Sequence, residues 1–445
     1  MRAWDAADEP RTRAAAADLA ALGVATTLGG DGTAALRGQP ASCLVKSPGI
    51  PPGAPIVLAA RAAGLPILDE LEAGWRLDDR PLVAVTGTNG KSTVARLVAA
   101  ALAAAGRRPA LAGNTRFGPP LSGLPAEAGD LVVAECSSYQ LEHCSALAPD
   151  AAVLTNLSED HGWHHPTPAA YAAAKRGLFL RDGGAVPLAA VGVGEPFGSA
   201  LAADLAAAGS SVLTVGTAGD LRPASVEVAW SGTEIAAETP GGRVAVRVAA
   251  VGAHMAHNAL LALALADLAG VPRDAAVAAL AGCPPVPGRF ERVDGGGPVA
   301  VVVDFAHNAA GVAAAAAAAR TLSGGRSRVR VLLSAPHVYP DAQLEAMGRA
   351  AGAGATEVVV TADRWSAAEP PEPPAALVRG AAAGLGRPPA AYAERRDGVA
   401  AALGAAREGD VVILLGRGER PRRLTAAGTW AQETDRALAL AALAA

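Results

Sequence analysis

The residues best suited to chemistry lie in Leu82 to Ala95, LVAVTGTNGKSTVA. A short apolar run stops at a glycine-rich turn, Lys91 and Ser92 follow, and a helical pattern begins. Backbone N–H groups of such a turn, at the start of a helix, suit phosphate oxygens. A lysine in the place of Lys91 reaches terminal phosphates, and a hydroxyl in the place of Ser92 suits magnesium. The strict G-x-x-x-x-G-K-[ST] spacing is not met, because Val85 stands where its first glycine would be. TGTNGKST directly after LVAV still argues for more than an ordinary strand–turn–helix. A nucleotide phosphate is therefore expected on Gly87, Thr88, Asn89, Gly90, Lys91, Ser92 and Thr93. This motif alone fits a kinase or a switch GTPase as well.

Further along, DLVVAE ends at Glu135, and AAVLTNLSEDH places Asp160 and His161 after another apolar strand. A carboxylate at the C-terminal end of a parallel strand sits beside such a cradle, where it can hold magnesium. An Asp-His pair alone reads as a cap and a solvated histidine. Beside Glu135 and the cradle, metal ligation is the better reading. TPAAYAAAKRGLF then forms a helix carrying Lys175, by itself a surface lysine.

Taken in order, GTNGKST, AECSSYQLE, TNLSEDH and AAAK resemble the Mur ligases. VKSPGIPPGAPIVLAARAAGLPILDELE, Val45 to Glu72, is similar to the N-terminal domain of the branch that adds D-glutamate. The resemblance implies an ATP-dependent, ADP-forming ligase of peptidoglycan precursor synthesis. It would add glutamate, D-glutamate first, to UDP-N-acetylmuramoyl-L-alanine through an acyl phosphate. A related ligase for L-glutamate or another amino acid, and a non-ligase nucleotide-binding protein, stay open. The implied metal ligands are Ser92 and Glu135 for one magnesium, and His161 with a carbamylated Lys175 for the second. Asn258 would face adenine, and Arg289 and Asp304 would close over ATP. Asp5, Ser47, Gly49 and Asn114 would contact the UDP-sugar. The implied catalytic set is Lys91, His161, Lys175 and Arg289.

The amino-acid half follows another branch. DFAHN, VVVTADRWS and GRGER look like the diaminopimelate-adding ligases and cyanophycin synthetases. The lysine, threonine, serine and phenylalanine expected around D-glutamate are not found. An acidic acceptor is instead expected on basic groups at strand ends, with His307, Asn308, Arg364 and Arg417 as candidates and His337 and Arg420 beside them.

These residues need an α/β scaffold. Strand-length apolar runs alternate with Ala/Leu-rich helices almost throughout the 445 residues, which argues for parallel sheets with crossover helices. RLDDRP and the proline-rich hinge GCPPVPGRFERV mark two breaks. The expected units are a UDP-sugar-binding domain over 1–80, a central ATP-binding domain over 81–283 and a C-terminal amino-acid-binding domain over 284–445. The first is expected to lack an opening strand and its glycine turn, while the last is doubly wound. A net charge of −4 gives no reason to expect nucleic acid or an anionic membrane as partner. VAAVGAHMAHNALLALALA nears membrane-helix length, but its histidines and asparagine mark a buried soluble helix. Cys43, Cys136, Cys144 and Cys283 lack metal spacing and read as reduced thiols in a cytoplasmic chain, which is expected to be a monomer.

Overall fold

The computed structural model describes all residues except 37–40, 115–116, 182, 294–296, 326, 426 and 445. At its centre lies a six-stranded sheet. The order across it is Ser211–Val215, Leu188–Gly192, Ala151–Leu154, Leu82–Thr86, Leu131–Glu135, Pro109–Gly113, and every pair is parallel. Its middle strands are buried throughout, and apolar but for Thr86 and Glu135 at their C-terminal ends, because helices cover both faces. On one face lie the helices Lys91–Ala104 and Met255–Leu268. The second is apolar all round and nearly all buried, as the uncharged run requires. Among the described residues, no helix is long and apolar enough to cross a membrane.

The topology decides what meets at the C-terminal edge. The cradle strand Leu82–Thr86 pairs with Leu131–Glu135 on one side and Ala151–Leu154 on the other. The glycine turn, Glu135 and the 155–161 segment therefore emerge side by side.

The expected alternation fails over one stretch. Arg222–Ala229, Gly232–Thr239 and Gly242–Val248 form an antiparallel three-stranded sheet. Their period-2 patterning and short glycine-bearing turns are the physical reason.

Two small parallel pairs form the N-terminal region. Arg2–Asp5 joins Ala25–Leu28 across the helix Pro10–Ala21, and Leu44–Lys46 joins Ile67–Asp69 across Pro55–Ala62. The second pair holds a buried ion pair, whose carboxylate also ties it to the centre. Lys46 Nζ lies 2.8 Å from Asp69 Oδ1, while Asp69 Oδ2 accepts from the His143 backbone N–H at 3.2 Å.

The C-terminal sheet runs Glu291–Val293, Ala300–Asp304, Val411–Leu415, Val329–Ala335, Glu357–Ala362, Ala390–Tyr392. All neighbours are parallel except the first pair. The four strands expected from sequence are its middle. The proline-rich hinge supplies the antiparallel edge strand and holds Phe290 at φ 45°.

Candidate active site

The cradle is shaped by glycines that nothing larger could replace without strain. Gly87 has φ 144°, and a Cβ there would stand 1.8 Å from Thr155 Oγ1. Gly90 caps the helix at φ 86°, and a Cβ there would stand 2.5 Å from Asn258 Oδ1. The neighbouring strand end holds the loop by its backbone. Asn89 N–H donates to Asn156 Oδ1 at 3.0 Å, and Thr88 N–H donates to the Asn156 carbonyl at 3.0 Å. Thr155 Oγ1 donates to the Asn89 carbonyl at 2.6 Å. Sequence reasoning passed over Thr155 and Asn156, although their place at a strand end beside the cradle was a usable signal.

Lys91 folds back on its own loop. Its Nζ donates to the carbonyls of Gly87 at 3.1 Å and Thr88 at 2.8 Å. Burial lowers its proton affinity. Ser92 Oγ donates to Glu135 Oε2 at 2.6 Å, and both side chains are buried. Lys175 is fully buried. Its Nζ donates to the Gly87 carbonyl at 2.7 Å and lies 4.6 Å from the centre of the Tyr171 ring. Among the described residues no carboxylate pairs with it. Burial first, and the Lys91 charge second, hold its proton affinity well below the usual lysine range.

His161 sits at φ 56°, one of only two non-glycine residues with positive φ among those described. Its backbone N–H donates to Asp160 Oδ1 at 2.7 Å, and its Nδ1 is hydrogen-bonded to the Tyr139 hydroxyl. Burial pulls its pKa down to about 3, against the opposing Asp160 charge. Asp160 gathers partners from the C-terminal region. Asn308 Nδ2 donates to Oδ2 at 2.9 Å, Gln343 Nε2 donates to Oδ1 at 3.2 Å, and His307 Nε2 stands 3.6 Å from Oδ2. Asp160, His161 and His307 thus converge closely enough to share a cation. Burial also lowers His307, to about 4.

A cavity of about 720 Å³ joins these groups. Its wall includes Thr88 to Thr93, Asn114, Glu135, His161, Lys175, Asn258, Arg289, Asp304 and His307. Arg289 lies over the Phe305 ring at 4.4 Å. Asp304 braces the hinge by accepting from the backbone N–H groups of Phe290 at 2.7 Å and Ala306 at 2.6 Å. Burial raises the affinity of Asp304 for its proton.

Other expected residues lie elsewhere. Asp5 is exposed and accepts from the Ala7 N–H at 2.8 Å. Ser47 and Gly49 are exposed in their turn, off the cavity wall. Arg364 is turned into its own loop, where it donates to the carbonyls of Ala367 at 2.7 Å, Glu369 at 2.9 Å and Thr425 at 2.7 Å. Arg417 is buried in an ion pair with Asp363. Neither arginine lines the cavity, whereas Arg420, Trp163, Tyr339 and Trp365 do.

A phosphate cradle on a parallel sheet, backed by a hydroxyl–carboxylate contact and a buried lysine, faces a second α/β unit across one cavity. The comparisons place this arrangement. The Mur ligase middle domain profile matches residues 85–266, and that of the Mur ligase glutamate ligase domain matches 288–418. A UDP-N-acetylmuramate–L-alanine ligase of Mycolicibacterium gilvum is 32% identical over 416 residues, covering 90% of this chain and 86% of that protein. The chain belongs to the Mur ligase family.

Two UDP-N-acetylmuramoylalanine–D-glutamate ligases show higher identity over shorter spans. That of Frankia casuarinae is 40% identical over 63% of this chain and 58% of the relative. That of Myxococcus xanthus is 36% identical over 66% and 64%. The chain thus spans less than two thirds of the length of these two relatives. Among solved structures, a Thermotoga maritima UDP-N-acetylmuramate–alanine ligase superposes with a TM-score of 0.62 at 19% identity, over 94% of this chain and 90% of that one. A Mycobacterium tuberculosis folylpolyglutamate synthase gives 0.61 at 22% identity, over 78% and 92%. Both likenesses concern the fold.

Proposed function

We propose that the chain is an ATP-dependent, ADP-forming ligase that joins glutamate, D-glutamate first, to UDP-N-acetylmuramoyl-L-alanine. It would act as a cytoplasmic monomer in peptidoglycan precursor synthesis. Residues 1–80 would take the uridine nucleotide, 81–283 ATP and 284–445 the amino acid. The observation that carries the reading is Lys175, buried without a carboxylate partner among the described residues, next to a cradle whose Ser92 touches Glu135.

The donor set fits magnesium. Ser92 Oγ and Glu135 Oε2 are hard oxygen donors 2.6 Å apart. A lysine whose proton affinity burial depresses gives up its proton more readily, and the amine's lone pair can then attack carbon dioxide. One proton leaves, and the product is an anionic carbamate with two oxygens for a second cation. His161 adds a nitrogen ligand when its Nδ1 donates to the Tyr139 oxygen and Nε2 keeps its lone pair. When bound, the metal neutralises charge on phosphoryl oxygens.

The chain's own residues do the rest. The loop N–H groups cradle the phosphates, while Lys91 and Arg289 offset charge as the γ-phosphoryl group passes to the substrate carboxylate and ADP leaves. The amine nitrogen of the amino acid then attacks the acyl carbon. The tetrahedral adduct expels phosphate, and the amide forms with loss of a proton. Asn258, whose side chain lies against Gly90 of the loop, would meet the base of the nucleotide. Asn114, on the cavity wall, would meet the donor carboxylate, and Asp5 with the Ser47–Gly49 turn would meet the uridine end.

The test is incubation with UDP-N-acetylmuramoyl-L-alanine, ATP, magnesium and single amino acids, read by mass spectrometry. The expected product is the glutamyl adduct together with ADP and phosphate. No adduct with any amino acid would refute the reading.

A further inference from the structure

Asp160 follows a strand of the central sheet, yet most of its partners come from the C-terminal unit. It is 5% exposed, and its carboxylate is held on both oxygens. Oδ1 accepts from the His161 backbone N–H at 2.7 Å and from Gln343 Nε2 at 3.2 Å, and Oδ2 accepts from Asn308 Nδ2 at 2.9 Å. Gln343 lies on the helix Asp341–Gly354, and Asn308 caps the helix Ala309–Leu322. Three donors from two units thus fix the direction of one buried carboxylate.

His307 faces that carboxylate with a lone pair. Its Nδ1 lies 3.1 Å from the Phe305 carbonyl, which can only accept, so Nδ1 carries the hydrogen. Nε2 of the neutral ring then has none, and it stands 3.6 Å from Asp160 Oδ2. Two acceptors that face each other need something positive between them. A proton there would draw the pair to about 2.7–2.9 Å, the length of a charge-assisted hydrogen bond. A tetrahedral metal with bonds of about 2.0–2.1 Å instead keeps its ligand atoms about 3.3 Å apart. The spacing found is closer to the second. A third group points the same way. One ligand atom from each of Asp160, His161 and His307 lies within 4.8 Å of the other two. A proton bridges two atoms, whereas a metal takes three or four.

We infer that Asp160, His161 and His307 form a site for one divalent ion of the zinc and cobalt class, which ties the central unit to the C-terminal unit. Two imidazoles and one carboxylate suit such an ion and do not suit magnesium, which prefers oxygen. The Phe305 carbonyl orients His307, and the Asn308 and Gln343 amides orient Asp160, as outer contacts do in metal sites. The site uses none of Ser92, Glu135 or Lys175, and it meets the magnesium positions proposed above only at His161. One imidazole cannot complete both shells, so a chain loaded with zinc would lack the His161 ligand of the second magnesium. That consequence rests on the ligase reading, and the zinc site does not.

The test titrates cobalt(II), then zinc, onto the full chain without nucleotide. Cobalt should give a saturable visible absorption, zinc should remove it, and excess magnesium should not. Asp160→Asn and His307→Ala should each weaken zinc binding at least about tenfold, while Lys175→Ala and Glu135→Gln leave it within about twofold. A long-range proton–nitrogen spectrum of the eight histidines reads the ligands in the unaltered chain, so the result stands even where a substitution unfolds the protein. Zinc should move the ring signals of His161 and His307 and leave that of His337 in place. No saturable binding, displacement by magnesium, binding unchanged in His307→Ala, or an equal loss in Lys175→Ala would overturn the site. Zinc binding of the expected kind in a chain that makes no product with any amino acid would support the site and refute only the ligase reading.

Discussion

Asn89 and Asn308 exchange two amide hydrogen bonds across the cavity. Asn89 Nδ2 donates to Asn308 Oδ1 at 3.1 Å, and Asn308 Nδ2 donates to Asn89 Oδ1 at 3.0 Å. One residue belongs to the phosphate cradle. The other caps the helix Ala309–Leu322 of the C-terminal sheet, accepting from the Gly311 N–H at 2.9 Å. The glycine loop is therefore latched to the unit of the C-terminal sheet.

Two substitutions separate the latch from the cap. Asn89→Ala removes only the latch, whereas Asn308→Ala also removes the cap and the bond to Asp160. Asn308→Ala should be less stable than Asn89→Ala by about 1 kcal/mol, the usual worth of a helix cap. Both should give a wider small-angle scattering profile without nucleotide. Equal denaturant midpoints would contradict the cap, and unchanged scattering would contradict the latch.

Lys175 should carry carbon dioxide. With isotopically labelled bicarbonate, a carbamate carbon signal is expected in the unaltered chain and not in Lys175→Ala. The signal should grow as pH rises, because only the neutral amine reacts. The depressed proton affinity of the buried amine brings that change down towards neutrality. Lys175→Ala should lose most turnover, and added formate should restore part of it. A full-strength signal in the alanine variant would assign it to another group.

Arg417→Ala should act on the fold before it acts on any substrate. Its removal leaves Asp363 charged in a buried setting, a loss of about 3–5 kcal/mol. Replacing both residues together, Arg417→Met with Asp363→Leu, should restore much of the melting temperature. A variant as stable as the parent with a raised amino-acid KM would return Arg417 to the binding site.

Stability should rise with pH through several buried histidines, His165 among them. His165 is buried, and desolvation, aided by His164 and Lys175 and opposed by Glu142, holds its pKa at about 4 against an ordinary 6.5. Between those values the unfolded chain binds a proton that the folded chain refuses, so folding weakens as pH falls through that window. His165→Phe should flatten the melting-temperature profile between about pH 4 and pH 6.5. An unchanged slope would shift the cause to other groups.

Much of the cradle side was legible because local sequence dictates it. A strand, a glycine turn and a helix start are set within a dozen residues, and parallel pairing brings Glu135 and His161 alongside. The amino-acid side was less legible. Which arginine faces the cavity depends on where Asp363, Glu394, Glu433 and Asp435 fall in three dimensions, and spacing along the chain carries none of that. Arg364, Arg417 and Arg420 therefore stood together as basic groups at strand ends, and nothing in the sequence told that Arg420 alone of the three lines the cavity. Trp163 was missed for a similar reason: a tryptophan after a histidine reads as core until its N–H is found without an acceptor. The antiparallel sheet over 222–248 shows its period-2 alternation in the sequence, but it sits within a run of parallel strands and crossover helices whose pattern masks it.

The fold-back of Lys91 onto the carbonyls of Gly87 and Thr88 has a consequence for which anions the loop admits. An empty phosphate loop with a free ammonium would collect chloride, acetate or any passing carboxylate. Here the ammonium already has two acceptors, so an incoming anion must outcompete them. A single weak charge gains little by that exchange. A polyphosphate that fills the whole ring of N–H groups at once gains enough to turn the lysine outward. The loop's own carbonyls thus set a threshold for any anion that draws on the Lys91 charge.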